Sequence, residues 1–396
     1  MRQSHPAARR PSTPECRHFG SCGSCSSLST PIAEQVEEKA ADVESLIGPF
    51  LGGRRLEWTI PRATPLHFRQ KLLYPVVADS RGLPILGMFR RESRELVRIR
   101  ECRTMDPRLV SIGSAAERIL RGLRLDPLDP STGKGRLIAF QARVFSSTGE
   151  AILGVVTAAG LFPEGAELAA RLEEAAASEG LRPVGVVRGI TKRKDGFLLG
   201  EQFVPLAGRD WAEDRADGLR FRVGLGSFYQ AHRDAASVLY RPALRLCGPL
   251  SGLCVVDAYG GVGAFGLRCA KQGASRVEII EDGASSCRDA EHNARANGLP
   301  QVRVERARFA QSAFDPGPDL MVLDPPRSGL GPDGVRRALE ARPRRLLLVS
   351  CSAESMARDL EGLWSGGYRV VRARLCDMFP HTRHAEVVAV MERRGS

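Results

Sequence analysis

From about Gly218 to its end, the chain alternates short apolar stretches with helix-like segments. The apolar stretches are Cys254–Val256, Val277–Ile280, Leu320–Leu323, Leu346–Val349, Arg369–Leu375 and Glu386–Met391. This alternation is the pattern of βαβ units, because a strand that returns parallel to its neighbour needs a crossover, usually a helix. It predicts an α/β fold with a mixed, mainly parallel seven-stranded sheet over residues 218–396. In such a sheet, ligands lie beyond the carboxyl ends of the strands. Asp257, Glu281, Asp324 and Cys351 stand at those ends, so four chemically capable side chains are expected on one rim.

The front half reads differently. Its apolar runs are short and divided by Gly, Pro and charge, at Arg143–Phe145, Ala151–Val156, Val184–Ile190 and Phe197–Phe203. They predict a β-rich region over 16–217, with a helix at Glu164–Ala177 and another at Pro31–Leu46 capped by Thr30. Residues 1–15 read as a disordered leader without the apolar core of a secretion signal. No stretch approaches ~20 consecutive apolar residues, so no membrane span is expected. A cytoplasmic monomer is the expectation. The formal charge of +12, carried almost entirely by arginine, favours a polyanionic partner, with nucleic acid foremost.

The segment CVVDAYGGVGAFG combines a strand, a glycine turn and a helix start. Gly261, Gly263 and Gly266 satisfy G-x-G-x-x-G, and Glu281 follows the next strand at a spacing suited to a ribose hydroxyl. Alone, this pattern also fits a nicotinamide dehydrogenase. Asp257 and the rigid Asp324-Pro325-Pro326 turn favour S-adenosylmethionine (SAM). Asp257 either organises the glycine turn or faces a cationic amino group, and Asp324 would sit over a methyl-transfer centre. The alternative is that Asp257 only caps the next helix and the two prolines only end a strand.

Near the C-terminus, Glu386 opens an apolar run after His381 and His384. A carboxylate entering a buried strand is costly unless it is paired or working. A thiol, a base and SAM together suit methylation at pyrimidine C5. The thiolate adds to C6, C5 attacks the sulfonium methyl, and a base removes the C5 proton so the thiolate leaves.

The segments VSCSAESMARDL, LDPPRSGL, DAYGGVGAFG, SFYQAH and DMFPHTRHAE together resemble the RNA (uracil-5-)-methyltransferase family. The likeness spans the chain and is densest from Leu225 onward. It implies Cys351 as nucleophile, Glu386 as base, and Gln230, Tyr259, Glu281 and Asp324 around SAM. Three departures stand out: Ser352-Ala353 where the family has Asn-Pro, Gln230-Ala231-His232 where it has Gln-x-Asn, and Arg306-Ala307-Arg308 where an adenine ligand is usual.

CRHFGSCGSC places Cys16, Cys22 and Cys25 at C-x5-C-x2-C spacing, with Cys102 far downstream. Four thiolates suit either zinc or a [4Fe–4S] cluster. The resemblance to ribosomal-RNA members implies the iron–sulfur cluster and a 23S ribosomal RNA substrate forming 5-methyluridine. A transfer RNA is the nearest alternative. A non-enzymatic, metal-containing RNA-binding protein would use only the front half. Cys247, Cys254, Cys269, Cys287 and Cys376 read as packing residues. Arg69, Lys71, the MFRRESRELVRIR run and TKRKDG are candidate phosphate contacts, and Phe68 could stack on a splayed base. Reaching Cys351 requires a flipped uridine, which favours a single-stranded loop or bulge.

Overall fold

In the computed structural model, residues 13–58, 65–193 and 198–394 are described. Most of the expected leader and part of the TKRKDG loop lie outside them. Among the described residues, no helix is long and apolar enough to cross a membrane.

The back half is built on one mixed eight-stranded sheet. Its order is Glu57–Trp58, Tyr368–Cys376, Glu386–Arg393, Arg345–Ser350, Leu320–Leu323, Cys254–Ala258, Arg276–Glu281 and Val302–Arg306. Every pairing is parallel except those of Glu386–Arg393, which runs antiparallel to both neighbours. Seven strands come from the expected region. The eighth, Glu57–Trp58, comes from the front half and pairs parallel with Arg374 and Leu375. The two faces of the sheet are buried by separate apolar clusters, as parallel sheets require.

The helix Ile32–Leu51 covers one of these faces. Val36, Val43, Ile47 and Leu51 bury against the same cluster as Leu346, Leu348, Leu360 and Val387. This helix thus lies in the stretch expected to be a separate N-terminal region, yet it packs with the C-terminal sheet. It also runs one turn past Leu46, to a left-handed Gly52 (φ 58°). The position before it is Pro31, with no side-chain cap, so Thr30 does not take the expected role.

The rest of the front half is built mainly on a six-stranded sheet, beside the short hairpins Met88–Phe89 with Leu96–Val97 and Trp211–Ala216 with Leu219–Gly224. The order of the six-stranded sheet is Pro84–Leu86, Lys71–Ala78, Leu137–Phe145, Glu150–Ala158, Arg182–Thr191 and Gln202–Gly208. Helices Pro107–Gly122 and Gly165–Ser178 pack on one side of it. The second matches the expected helix. The first was not read from the sequence, although Asp106 caps it by accepting from Arg108 N (3.0 Å) and Pro107 opens it.

Candidate active site

The strand order sets the site. Across the carboxyl rim stand, in sequence of neighbouring strands, Glu386, Cys351, Asp324, Asp257 with Tyr259, and Glu281. The expected rim residues are therefore brought together. Cys351 and Glu386 meet through register. Arg345–Ser350 and Glu386–Arg393 pair antiparallel, ending with Ser350 opposite Val387. Cys351 and Glu386 are the residues next beyond this last pair, and the Glu386 charge acts on the Cys351 thiol.

At the other end, Tyr240, Asp257, Tyr259, Phe265 and Asp324 line one pocket with Phe228 and Tyr229. Asp257 is fully buried, and its Oδ2 accepts from Gly266 N (2.7 Å), the first residue of the Gly266–Lys271 helix. It does cap that helix, but its Oδ1 is buried without a partner. Burial, ahead of the Asp324 and Glu281 charges, raises its pKa to about 7. Glu281 locks the glycine turn from the next strand: Oε2 accepts from Gly261 N (3.0 Å) and Oε1 from Gly283 N (2.7 Å). Gly261 is left-handed (φ 55°), and a Cβ on Gly260 would lie 2.6 Å from Ile279. Glycine is needed there for conformation and for room.

Tyr259 is also left-handed (φ 60°) and packs on Phe309 at 5.6 Å. Gln230 is half-buried and does not line the pocket; Phe228 and Tyr229, two and one residues earlier, do. Arg143, buried in the six-stranded sheet, donates to Ser227 O (2.9 Å) and Tyr229 O (3.2 Å). It thereby pins the backbone on both sides of the exposed Phe228 ring. Tyr240, Phe228 and Tyr229 were not singled out in the sequence, although Phe228 and Tyr229 lie inside the SFYQAH segment and Tyr240 eight residues beyond it.

Four carboxyls and a thiol crowd this rim. Burial pushes Asp324 up to about 7. Glu386, 2% exposed, is raised well above the ordinary carboxylate range by burial and then by Asp324. Burial also raises the Cys351 thiol, followed by Glu386 and Asp324, while Arg327 pulls it down.

The turn bearing Cys351 explains one departure. Ser352 caps the Ala353–Ser365 helix, its hydroxyl accepting from Ser355 N (3.2 Å). Asn is an equally good cap and Pro a good first helical residue, so Ser-Ala supplies the same turn by another route. Ser350 Oγ donates to Ser352 O (2.9 Å) and closes the turn from the strand side.

The second departure also has a structural reason. His232 stacks on Phe68 (4.7 Å, 18°) in the joint between the two sheets. Phe68 is 6% exposed, so its ring is taken and the expected base-stacking role is corrected. The joint is sealed by Arg233 N to Phe68 O (2.9 Å) and Gln70 N to Ala231 O (2.7 Å). Nearby, Lys71 is lowered to about 7 by burial and then by Arg143 and Arg69.

Cys16, Cys22, Cys25 and Cys102 line a single small pocket with Tyr74, Met88 and Met105. Cys25 is pushed up to about 12 by burial, then by the charges of the other three. Bare thiolates would repel there, so the donor set suits a cationic inorganic core. Ser24 N donates to Cys22 Sγ (3.4 Å). Among the described residues, no three His, Cys, Asp or Glu side chains converge as ligands of one ion. Of the five cysteines expected to pack, Cys254 is exposed and not a packing residue; Cys247, Cys269, Cys287 and Cys376 are buried.

Residues 317–394 match the family model for tRNA (uracil-5-)-methyltransferase. A relative from Gloeobacter violaceus, described as an uncharacterized RNA methyltransferase, is 32% identical over 94% of this chain and 81% of its own length. The chain belongs to the RNA (uracil-5-)-methyltransferase family. A relative of the same description from Caldanaerobacter subterraneus is 30% identical over 96% of the chain and 84% of its own. The fold matches that of the Pyrococcus abyssi tRNA (uracil-54, C5)-methyltransferase, solved with S-adenosyl-L-homocysteine. The TM-score is 0.72 at 23% identity, over 93% of this chain and 86% of that one. This family member is thus an RNA methyltransferase on a methyltransferase fold.

Proposed function

We propose that the protein forms 5-methyluridine in ribosomal RNA, with Cys351 as nucleophile and Glu386 as base. The register that ends at Ser350 and Val387, one residue short of Cys351 and Glu386 and beside the strand that leads to Asp324, supports the reading. The Cys351 thiolate bonds to C6 of a flipped uracil, making C5 nucleophilic. C5 takes the methyl of SAM, whose S–CH3 bond breaks to leave S-adenosylhomocysteine. Glu386 then accepts the C5 proton, the C5=C6 bond re-forms and the thiolate departs. Asp324, Tyr259 and Glu281 are proposed to hold SAM, with Gln230 reaching it from outside the pocket; the sulfonium and ammonium charges of SAM offset the crowding of carboxyls on the rim. The N-terminal dipole of the Ala353–Ser365 helix favours the thiolate.

Cys16, Cys22, Cys25 and Cys102 would hold a [4Fe–4S] cluster; their shared pocket supports this. No step of the methylation needs it. Transfer RNA is the second reading, because the structurally similar Pyrococcus enzyme is described as acting on tRNA. Mapping 5-methyluridine in ribosomal and transfer RNA, from cells with and without the gene, tests both. Loss confined to ribosomal RNA supports the first, loss confined to transfer RNA the second. Loss in neither rejects the activity.

A further inference from the structure

The segment 377–385 links strand Tyr368–Cys376 to strand Glu386–Arg393, and Cys376 pairs with Glu386 at its base. It leads directly into Glu386. Its hydrogen bonds lead to the front of the chain. His381 O accepts from Ser26 N and Ser27 N, both at 3.0 Å. His381 N donates to Gln35 Oε1 (2.8 Å), and Gln35 Nε2 lies 3.2 Å from His381 Nδ1. The same Nε2 reaches Ser27 O (2.8 Å) and Thr30 O (2.6 Å). Lys39 adds an ion pair to Asp377 (2.7 Å) and a bond to Phe379 O (3.0 Å). Gln35, Lys39, Asp377 and His381 are all buried. His381 is held left-handed (φ 66°), a strained conformation that persists only when its surroundings fix it.

Ser26 directly follows Cys25, so the hold on His381 begins one residue from the cysteine pocket. Cys351, by contrast, hangs from a different strand, and its turn is closed by Ser350, Ser352 and Ser355. The hydrogen bonds that fix the segment before Glu386 and those that close the Cys351 turn thus come from different stretches of the chain.

We infer that the Cys25 loop and Gln35 brace the base: they are positioning elements that hold the segment before Glu386 for removal of the C5 proton. This rests on the proposed roles of Cys351 and Glu386. Weakening the brace then slows proton removal and leaves addition and methyl transfer intact. Anchoring Cys25 in the shared thiol pocket gives the cysteine set a mechanical task in a reaction without a redox step.

The test uses full-length protein and total RNA carrying tritium at uridine C5, from cells lacking the gene. Tritium release reads proton removal, and labelled methyl in a covalent protein–RNA adduct reads the earlier steps. Gln35→Leu is expected to slow tritium release about tenfold to a hundredfold, with methylated adduct accumulating and SAM affinity unchanged. Equal loss of both signals, or no change in either, overturns the brace. Glu386→Gln is the control. If it accumulates no methylated adduct, the proposed catalytic roles fail; if it does and Gln35→Leu does not, only the brace fails. Should Gln35→Leu not fold, hydrogen exchange decides. The Ser26, Ser27 and His381 amides should open together in the native chain and faster in Cys25→Ser. Separate or unchanged rates overturn the inference.

Discussion

Asp257 offers the sharpest test of the electrostatics of the rim. Its carboxyl is fully buried, with one oxygen on Gly266 N and the other unpartnered. In the folded chain it keeps its proton to about pH 7, whereas in the unfolded chain it ionises near 4. A raised acid contributes stability that is complete below the unfolded value and is lost as pH rises through the folded one. With one pH unit equal to 1.36 kcal/mol, the penalty is about 1.7 kcal/mol at pH 5 and about 4 kcal/mol at pH 8. Asp257→Asn removes it while an amide oxygen still accepts from Gly266. Relative to the native sequence, the SAM-free variant should therefore gain about 2.5 kcal/mol between pH 5 and pH 8. Thermal melts at both pH values, read as a difference between variant and native chain, measure this directly. Asp324 and Glu281 shape both profiles, so the subtraction leaves mainly Asp257. A difference that is flat with pH, or that shrinks towards pH 8, would refute the claim that this site strains to hold an uncompensated charge.

Other outcomes follow from the same geometry. Cys351→Ala should abolish both turnover and adduct, and Glu386→Gln should lower turnover about 10²–10⁴-fold while trapping methylated adduct, visible as a denaturant-resistant protein–RNA band. Ser352→Ala should cost about 1 kcal/mol of stability through the lost helix cap, and Ser352→Asn should recover it in urea melts. Lys39→Met should cost about 3–5 kcal/mol, because it strands the buried Asp377 charge; Lys39→Met with Asp377→Leu should restore most of this in the same melts. Purified without oxygen, the protein should be brown with iron and sulfide near four each per chain, falling in Cys102→Ser; colourless protein with stoichiometric zinc would reject the cluster.

The rim residues were legible because their signals are local. Asp257, Glu281, Asp324 and Cys351 each end a short apolar run, and the glycine turn announces itself by its own sequence. The helix Pro107–Gly122 was equally legible, in Asp106-Pro107 and the apolar spacing of Leu109, Ile112, Ala116 and Leu120, and was passed over. The strand Val302–Arg306 was not: an edge strand reading VRVER lacks the continuous apolar run of a central one.

The sequence alone carried the central strands of the C-terminal sheet, the chemistry at their ends and the α/β class. Folding added that Glu386 and Cys351 end adjacent strands, that Ile32–Leu51 and Glu57–Trp58 join the distant C-terminal sheet, and that Phe68 stacks on His232. The physical reason is that register and partnership between remote segments follow from how buried faces fit, and a one-residue slip would turn every side chain of the last strand to the wrong face.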